Sequence, residues 1–476
     1  MHLSLFLPEL VLILMVVVLF FASLGNIKAG SLQGITLVLA ALATLAAVAT
    51  FKQQGLMFYE AYRVDVYSQI FKIIITGSLF LVVFLGPGLS GVERQVKPEY
   101  YLFLTLSSMG LVFLSSAVEL LTILLSLEIS SYALYVIIPL RRQDGFRIQM
   151  EAGIKYVLFG AFSTGITLFG ISYIFGLTHS TYLTDLTKVI PGLLTSQPLA
   201  IIGMVMMLCG FFYKLAMFPM HFWTPDIYQG AANETTTFIA TVPKVGAVAL
   251  LIRLVFLVGV DVSQFTWVLA AFAVLSMTIG NLSALVQNDL KRLLAYSSIA
   301  HAGYVMVGIL SVGELGTSSA IYYILGYVIM NLACFYAIYN LAPEGGNVTF
   351  ADLKGLHRRS PLLAFTLGAG AFGMAGIPPT VGFTGKFVVF TAAIQKGFYA
   401  LVILGVINAA ISAFYYLKMV RAAYSQDDDD DEQQQDKVSL GISAQLLGIA
   451  LILAIVLIGI FPQSFIELAK QAVAVL

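Results

Sequence analysis

The sequence predicts an all-α polytopic membrane protein of about 14 transmembrane helices, arranged as two inverted five-helix repeats with discontinuous helices 7 and 12. Three observations predict it. Of 476 residues, 59% are hydrophobic and only 11% charged, a balance that leaves no separate water-soluble domain. Apolar runs of about 20 residues, enough for a helix to cross the bilayer core, recur from one end of the chain to the other. Two of these runs are broken by Pro and Gly, and they stand five passes apart.

The apolar runs fall at 3–24, 31–50, 69–89, 99–116, 118–139, 153–176, 198–236, 237–258, 265–286, 291–312, 318–342, 361–395, 397–420 and 441–464. The first lacks a basic leader and is too long for a signal core, which predicts a retained helix. Arg94, Lys97, Arg141, Arg142, Arg147, Lys291, Arg292, Lys354, Arg358 and Arg359 then share one side of the membrane. That side holds fifteen Lys or Arg, the opposite side six, and four lie within the spans. The positive-inside rule makes the basic side cytoplasmic and places both termini on the non-cytoplasmic side. The expected organisation is one transmembrane domain, 1–476. It comprises N-terminal helices (1–98), a first repeat (99–258), a second repeat (265–420), an acidic loop (421–440) and a final helix (441–476).

Run 198–236 is too long for one straight pass, yet its second part, Pro219-Met-His-Phe-Trp-Thr-Pro-Asp-Ile-Tyr-Gln-Gly230, is too polar and Pro-broken for a second span. Run 361–395 repeats the design around Gly376-Ile-Pro-Pro-Thr-Val-Gly-Phe-Thr-Gly385, followed by Lys386. Prolines remove backbone donors and leave carbonyls that only neighbouring protein or water can satisfy at membrane depth. An offset of five passes turns the second copy upside down, so passes 4–8 pair with passes 9–13, and transporters built this way place ion sites at the broken helices. Simple Pro and Gly kinks are the alternative, but each break here carries an ionisable residue.

Composition also excludes functions. The formal net charge is zero, which gives no electrostatic case for nucleic acid. Cys209 and Cys334 are the only cysteines and lie in different apolar helices, so the chain has no thiolate set for an iron–sulfur cluster or zinc site. The acidic run Asp427–Glu432 has neither the spacing nor the glycine of an EF-hand and is expected to be a solvated linker.

The chemistry is expected at charges buried in the spans. Each costs at least ~2.5–3.5 kcal/mol on insertion scales, and proton movement is the most economical use for them. Glu128 lies mid-pass, where an unpaired carboxylate takes up a proton, so it is expected to seek a cation. Lys214, in the same repeat, is the natural partner. Burial favours the neutral amine and a nearby carboxylate the ammonium, so making or breaking the pair switches Lys214 between holding and releasing a proton. A static ion pair is the alternative. Lys244 follows Pro243 within the next pass and either lies in the path or snorkels to the interface. Arg253, on the same helix, holds its proton too firmly for transfer and is expected to be a pairing charge. His301, mid-pass among hydroxyl-bearing neighbours, titrates near neutrality and suits a relay, although a hydrogen-bonded core histidine is equally consistent. Lys386, after the second break, completes a path between the two halves.

At these residues the chain resembles the N subunits of bacterial proton-pumping NADH:quinone oxidoreductase, respiratory complex I, over essentially its full length. The resemblance rests on Met150-Glu-Ala-Gly-Ile-Lys-Tyr-Val-Leu-Phe-Gly-Ala-Phe162, on the stretch Phe212–Ala231, on Asp289–Tyr304, and on Gly376–Phe387. It implies a fourteen-pass antiporter-like fold. It implies that Glu128 and Lys214 form the pair on helices 5 and 7, that Lys244 is the connecting lysine, that His301 assists with waters, and that Lys386 is the terminal group on helix 12. An end soon after pass 14 is unlike the L-type paralogue, and lysine at 386 is unlike the M-type. The implied activity is that of a proton-translocating NADH:quinone oxidoreductase complex in the bacterial plasma (inner) membrane. FMN, iron–sulfur clusters and quinone are expected on other subunits, with none in this chain, and M-type and K-type subunits are the expected neighbours. The alternatives are a subunit of a multisubunit cation/proton antiporter and a hydrogenase-like membrane complex.

Overall fold

The structure of the chain, a computed structural model, describes residues 3–25, 29–86, 88–142, 147–258, 263–425 and 437–474. The acidic run Asp427–Glu432 lies outside them. Passes 1–6 are Leu7–Leu24, Ala29–Ala49, Val66–Leu85, Lys97–Ser116, Leu120–Ile137 and Arg147–Thr178. Pass 7 consists of Pro198–Leu215 and the short Thr224–Gly230, and pass 8 is Asn233–Phe256. Passes 9–11 are Ser263–Leu285, Leu290–Leu310 and Glu314–Leu341. Pass 12 consists of Pro361–Ala375 and Val381–Gln395, and passes 13 and 14 are Tyr399–Tyr424 and Ile442–Ile460. Among the described residues, twelve helices are by themselves long and apolar enough to cross a membrane. Pass 4 and the two halves of pass 12 complete the predicted fourteen. Pass 4 is less apolar because it spends hydroxyls on its neighbour: Ser107 Oγ donates to the Ser130 carbonyl at 3.1 Å and lies 2.9 Å from Ser130 Oγ on pass 5.

Several boundaries move, pass 6 to Arg147 and pass 11 to Glu314 among them, and two of the shifts bear on the site. Pass 3 begins at Val66 rather than 69, because Asp65 caps it by accepting from Ser68 N at 2.7 Å while Ser68 Oγ accepts from Asp65 N. Pass 8 begins at Asn233, so residues 233–236 belong to it and not to the second half of pass 7. The stretch 179–197 between passes 6 and 7 is mostly the helix Leu183–Ser196, which buries Leu183, Leu186, Ile190 and Leu194 at helical spacing.

The inverted repeat is visible in matching details at opposite ends of the bundle. Glu119 caps pass 5, accepting from Thr122 N at 2.7 Å, and Asp289 caps pass 10, accepting from Arg292 N at 3.0 Å. Each capping residue also forms an antiparallel bridge with the segment that follows the next pass, Glu119 with Tyr182 and Asp289 with Thr349. Leu120 N donates to Thr181 O at 2.9 Å, and Leu290 N to Val348 O at 2.8 Å. Passes 5 and 10 start at opposite membrane faces, so the shared arrangement is upside down between the halves.

Passes 8, 10 and 11 are enclosed by the others, with every residue of the most apolar window of pass 8 buried. The N-terminal helices are fastened to this centre by charges. Arg253 Nη2 donates to both Asp65 carboxylate oxygens at 2.9 Å, with its guanidinium carbon 4.7 Å from the Tyr67 ring centroid. Arg253 is therefore the pairing charge expected. Both partners are buried, so Asp65→Ala should destabilise the protein by about 3–5 kcal/mol, whereas replacing both by apolar residues should recover most of the loss. Thermal denaturation of the detergent-solubilised protein measures the difference.

Candidate functional site

Both broken passes end their first half in the same way. Ala216 terminates Pro198–Leu215 in the left-handed conformation, at φ 63°, and Gly376 terminates Pro361–Ala375 there, at φ 88°. Glycine adopts this geometry freely, whereas an alanine carries strain of about 1 kcal/mol or more. Each break leaves helix-end carbonyls facing protein, and in each case a lysine ammonium meets them. Lys244 Nζ donates to Leu215 O at 2.8 Å. Lys386 Nζ donates to Met374 O at 2.8 Å and Ala375 O at 3.0 Å. A helix C-terminus carries partial negative charge, so these carbonyls stabilise the ammonium form without a carboxylate. The Gly376 Cα permits the approach: a Cβ there would lie 3.1 Å from Lys386 Cδ.

Glu128 and Lys214 do not form the expected direct ion pair. Glu128 Oε1 instead accepts from Thr164 Oγ1 at 2.7 Å, and Lys214 Nζ donates to Ser130 Oγ at 3.4 Å. The ion pairs among the described residues, found within 4.0 Å, do not include these two. The Glu128 charge still acts on Lys214. The two groups are thus electrostatic neighbours held apart by competing hydroxyl partners, one on pass 6 and one on pass 5. Lys244 does not snorkel: it is buried, and its second bond runs to Ser298 Oγ on pass 10 at 3.1 Å.

His301 stands between the two carbonyl-bound lysines. Its Nδ1 lies 2.7 Å from Tyr323 OH and its Nε2 3.1 Å from Tyr416 OH, which in turn contacts Ser297 Oγ. A neutral imidazole donates from one nitrogen and accepts at the other, so tautomer exchange carries a proton across the ring. Tyrosines bridge the remaining intervals. The Tyr327 ring lies 5.9 Å from Lys244 Nζ and 5.4 Å from the His301 ring. The Tyr304 ring lies 5.8 Å from His301 and 4.9 Å from Lys386 Nζ. Lys244, His301 and Lys386 are therefore brought into one buried series, and Lys214 is the chain neighbour of the Leu215 carbonyl that Lys244 binds.

Other buried charges were not foreseen. Lys72 and Glu9 pair at 2.6 Å with both side chains fully buried, and Tyr62 OH donates to Glu9 Oε1 at 2.6 Å. Their signal in the sequence was a charge a turn or two inside each of two apolar runs. Glu234 is buried in the first turn of pass 8. Its neighbours Asn233 and Thr235–Thr237 make that stretch read as the polar end of a broken segment. Cys209 and Cys334 are free and buried.

Residues 117–412 match the family model described as NADH:quinone oxidoreductase/Mrp antiporter, transmembrane. The chain is 45% identical over 470 residues to NADH-quinone oxidoreductase subunit N 2 of Opitutus terrae, covering 98% of this chain and 97% of the relative. It is 45% identical over 466 residues to the protein of the same name in Solidesulfovibrio magneticus, with the same coverage. Among solved structures, a chain of respiratory complex I from Thermus thermophilus with bound aureothin superposes with a TM-score of 0.84 at 29% identity, covering 97% of this chain and 99% of that one. A chain of the Mrp complex from Dietzia sp. shares the fold, with a TM-score of 0.86 at 18% identity over 100% of this chain and 97% of that one.

Proposed function

We propose, from the premise that this chain belongs to the NADH:quinone oxidoreductase/Mrp antiporter family and within it to the N subunits of NADH-quinone oxidoreductase, that it conducts protons through the Glu128, Lys214, Lys244, His301 and Lys386 series. The carrying observation is the continuity of that series: Lys244 binds the carbonyl of Leu215, the residue next to Lys214, and tyrosines and His301 span the interval to Lys386. Electron transfer from NADH to quinone supplies the energy. FMN, iron–sulfur clusters and quinone are assigned to other subunits; for the clusters this is supported by Cys209 and Cys334 lying on different passes, 7 and 11, and offering no set of ligands.

Redox-driven movement at the edge of the subunit alters the separation of Glu128 and Lys214. With Glu128 close, Lys214 holds its proton; with Thr164 and Ser130 taking the two side chains, the buried amine releases it. The proton passes to Lys244, crosses His301 by tautomer exchange and reaches Lys386, which releases it toward the opposite face. The M-type and K-type subunits are the proposed neighbours. The membrane is the bacterial inner membrane, with the end carrying Arg94, Arg141, Lys291 and Lys354 toward the cytoplasm and both termini opposite.

Purification from its source decides the activity. The chain is expected to travel with NADH-driven quinone reduction that acidifies the interior of sealed inside-out vesicles. Co-purification with sodium-dependent proton exchange and without quinone reduction would instead establish the antiporter alternative.

A further inference from the structure

A buried carboxylate outside the series lies on the same helix as Lys244. Glu234, Thr237, Thr241 and Lys244 follow one another on pass 8 at spacings of three, four and three, which places all four on one helical face over about 15 Å of axial rise. All four are buried, at 0–1% exposure. A stripe of ionisable and hydroxyl groups on the most enclosed helix of the bundle has no packing rationale, since apolar side chains would fill the same volume without polar atoms to satisfy.

The mouth of the stripe is built around Glu234. Its Oε1 accepts from Gly91 N at 3.1 Å, and its Oε2 has no hydrogen-bond partner. Glycine at 91 is required by the contact, because a Cβ there would lie 2.8 Å from Oε2. Titratable groups face Glu234 from several sides: the cations Lys97 of pass 4, Arg141 after pass 5 and Lys291 of pass 10, and the neutral phenols Tyr100 and Tyr101 of pass 4 and Tyr339 of pass 11. None of the cations is within ion-pairing distance, and Lys291 Nζ is engaged with Ala231 O at 2.9 Å. Other buried polar atoms near this end also have no protein partner, among them Asn233 Oδ1, Tyr101 OH, Thr224 Oγ1 and Arg141 Nε. Buried polar atoms are satisfied by protein or by water, so such a cluster marks a place that holds water.

We propose that Glu234 takes up protons at the basic end of the bundle and feeds them along the Thr237 and Thr241 hydroxyls to Lys244. This assignment rests on the relay proposed above and supplies its entry. The carboxylate gains a proton at Oε2 from water at the mouth and gives it up to water on the threonine side, with no other bond made or broken. Thr237 Oγ1 donates to Asn233 O at 2.7 Å and Thr241 Oγ1 to Thr237 O at 2.7 Å, so each hydroxyl oxygen keeps lone pairs to accept from a bridging water, and each passes its own hydrogen onward by turning away from that carbonyl. Successive groups rise by about 4.5 to 6 Å, an interval that one bridging water spans. Three cations arranged around the carboxylate without touching it keep it exchangeable rather than locked in an ion pair.

The test uses the assembled complex in sealed vesicles, with NADH and a soluble quinone, and measures the proton-pumping rate across pH 6 to 8. Glu234→Gln is expected to lower the rate by roughly 10²-fold or more, the scale of losing a positioned proton-transfer group, with the larger loss at high pH, where bulk protons are scarce. Glu234→Asp is expected to restore most of the rate. Thr241→Val, which keeps the side-chain shape, is expected to slow pumping with the same pH dependence, and it decides the matter if the Gln variant does not assemble. Parental rates and pH profile in either Glu234→Gln or Thr241→Val overturn the proposal, as does an equal, pH-independent loss in the Gln and Asp variants. Lys386→Ala measured in parallel separates the two levels: if it too pumps normally the relay itself is wrong, whereas its failure beside a normal Glu234→Gln removes only the entry.

Discussion

Lys386→Ala is expected to abolish most proton pumping while NADH oxidation by the rest of the complex persists. The expected fall is roughly 10²-fold or more, because a positioned proton-transfer group is removed outright. The structural cost is separable. Lys386 satisfies the Met374 and Ala375 carbonyls, and each left bare in a buried site costs about 1–3 kcal/mol. Water can enter the space vacated by the side chain and repay part of this, so the protein is expected to assemble with lowered thermal stability. Lys386→Arg restores cationic donors to the carbonyls and is expected to recover stability without recovering pumping, since a guanidinium does not give up its proton. Parallel assays of pumping and thermal stability in the two variants distinguish carrier from cap.

Lys386 also shows how far the sequence leads. Its charge was legible because everything around it is apolar, and the break beside it because Pro378 and Pro379 follow Gly376. That the lysine would turn back onto the carbonyls of its own broken helix was not legible, since this depends on the left-handed turn at Gly376 and the path of the chain after it. The order Lys214, Lys244, His301, Lys386 followed from topology, but the tyrosines that connect it come from passes 10, 11 and 13 and carry no local signature. Glu234 was obscured for the opposite reason. It stands in a polar stretch that reads as the end of the broken run 198–236, and only the early start of pass 8 puts it in register with Thr237, Thr241 and Lys244. The helix Leu183–Ser196 escaped notice because Pro191 and the surrounding turn formers mask its apolar spacing.

Lys214 carries the second large effect. The expected ion pair with Glu128 is replaced by two separate hydroxyl contacts, Glu128 with Thr164 and Lys214 with Ser130. A static pair serving stability would be closed, as Lys72 with Glu9 and Arg253 with Asp65 are closed at 2.6 and 2.9 Å. The same protein thus contains buried pairs that are made and one that is held open, and the open one lies at the start of the series. Opening leaves the ammonium with one long contact, to Ser130 Oγ, in a buried site, the state from which a proton departs most readily. Lys214→Ala removes the carrier and its charge together, and is expected to stop pumping without revealing which of the two mattered.

Lys214→Arg separates them, because arginine keeps the positive charge and can reach the Ser130 hydroxyl yet retains its proton in either arrangement. The deciding measurement is the number of protons translocated per NADH oxidised by the assembled complex in sealed vesicles, Lys214→Arg against parental. A lowered ratio with assembly and electron transfer intact is the result predicted for a proton carrier at Lys214. A parental ratio would contradict it and leave Lys214 as a fixed charge.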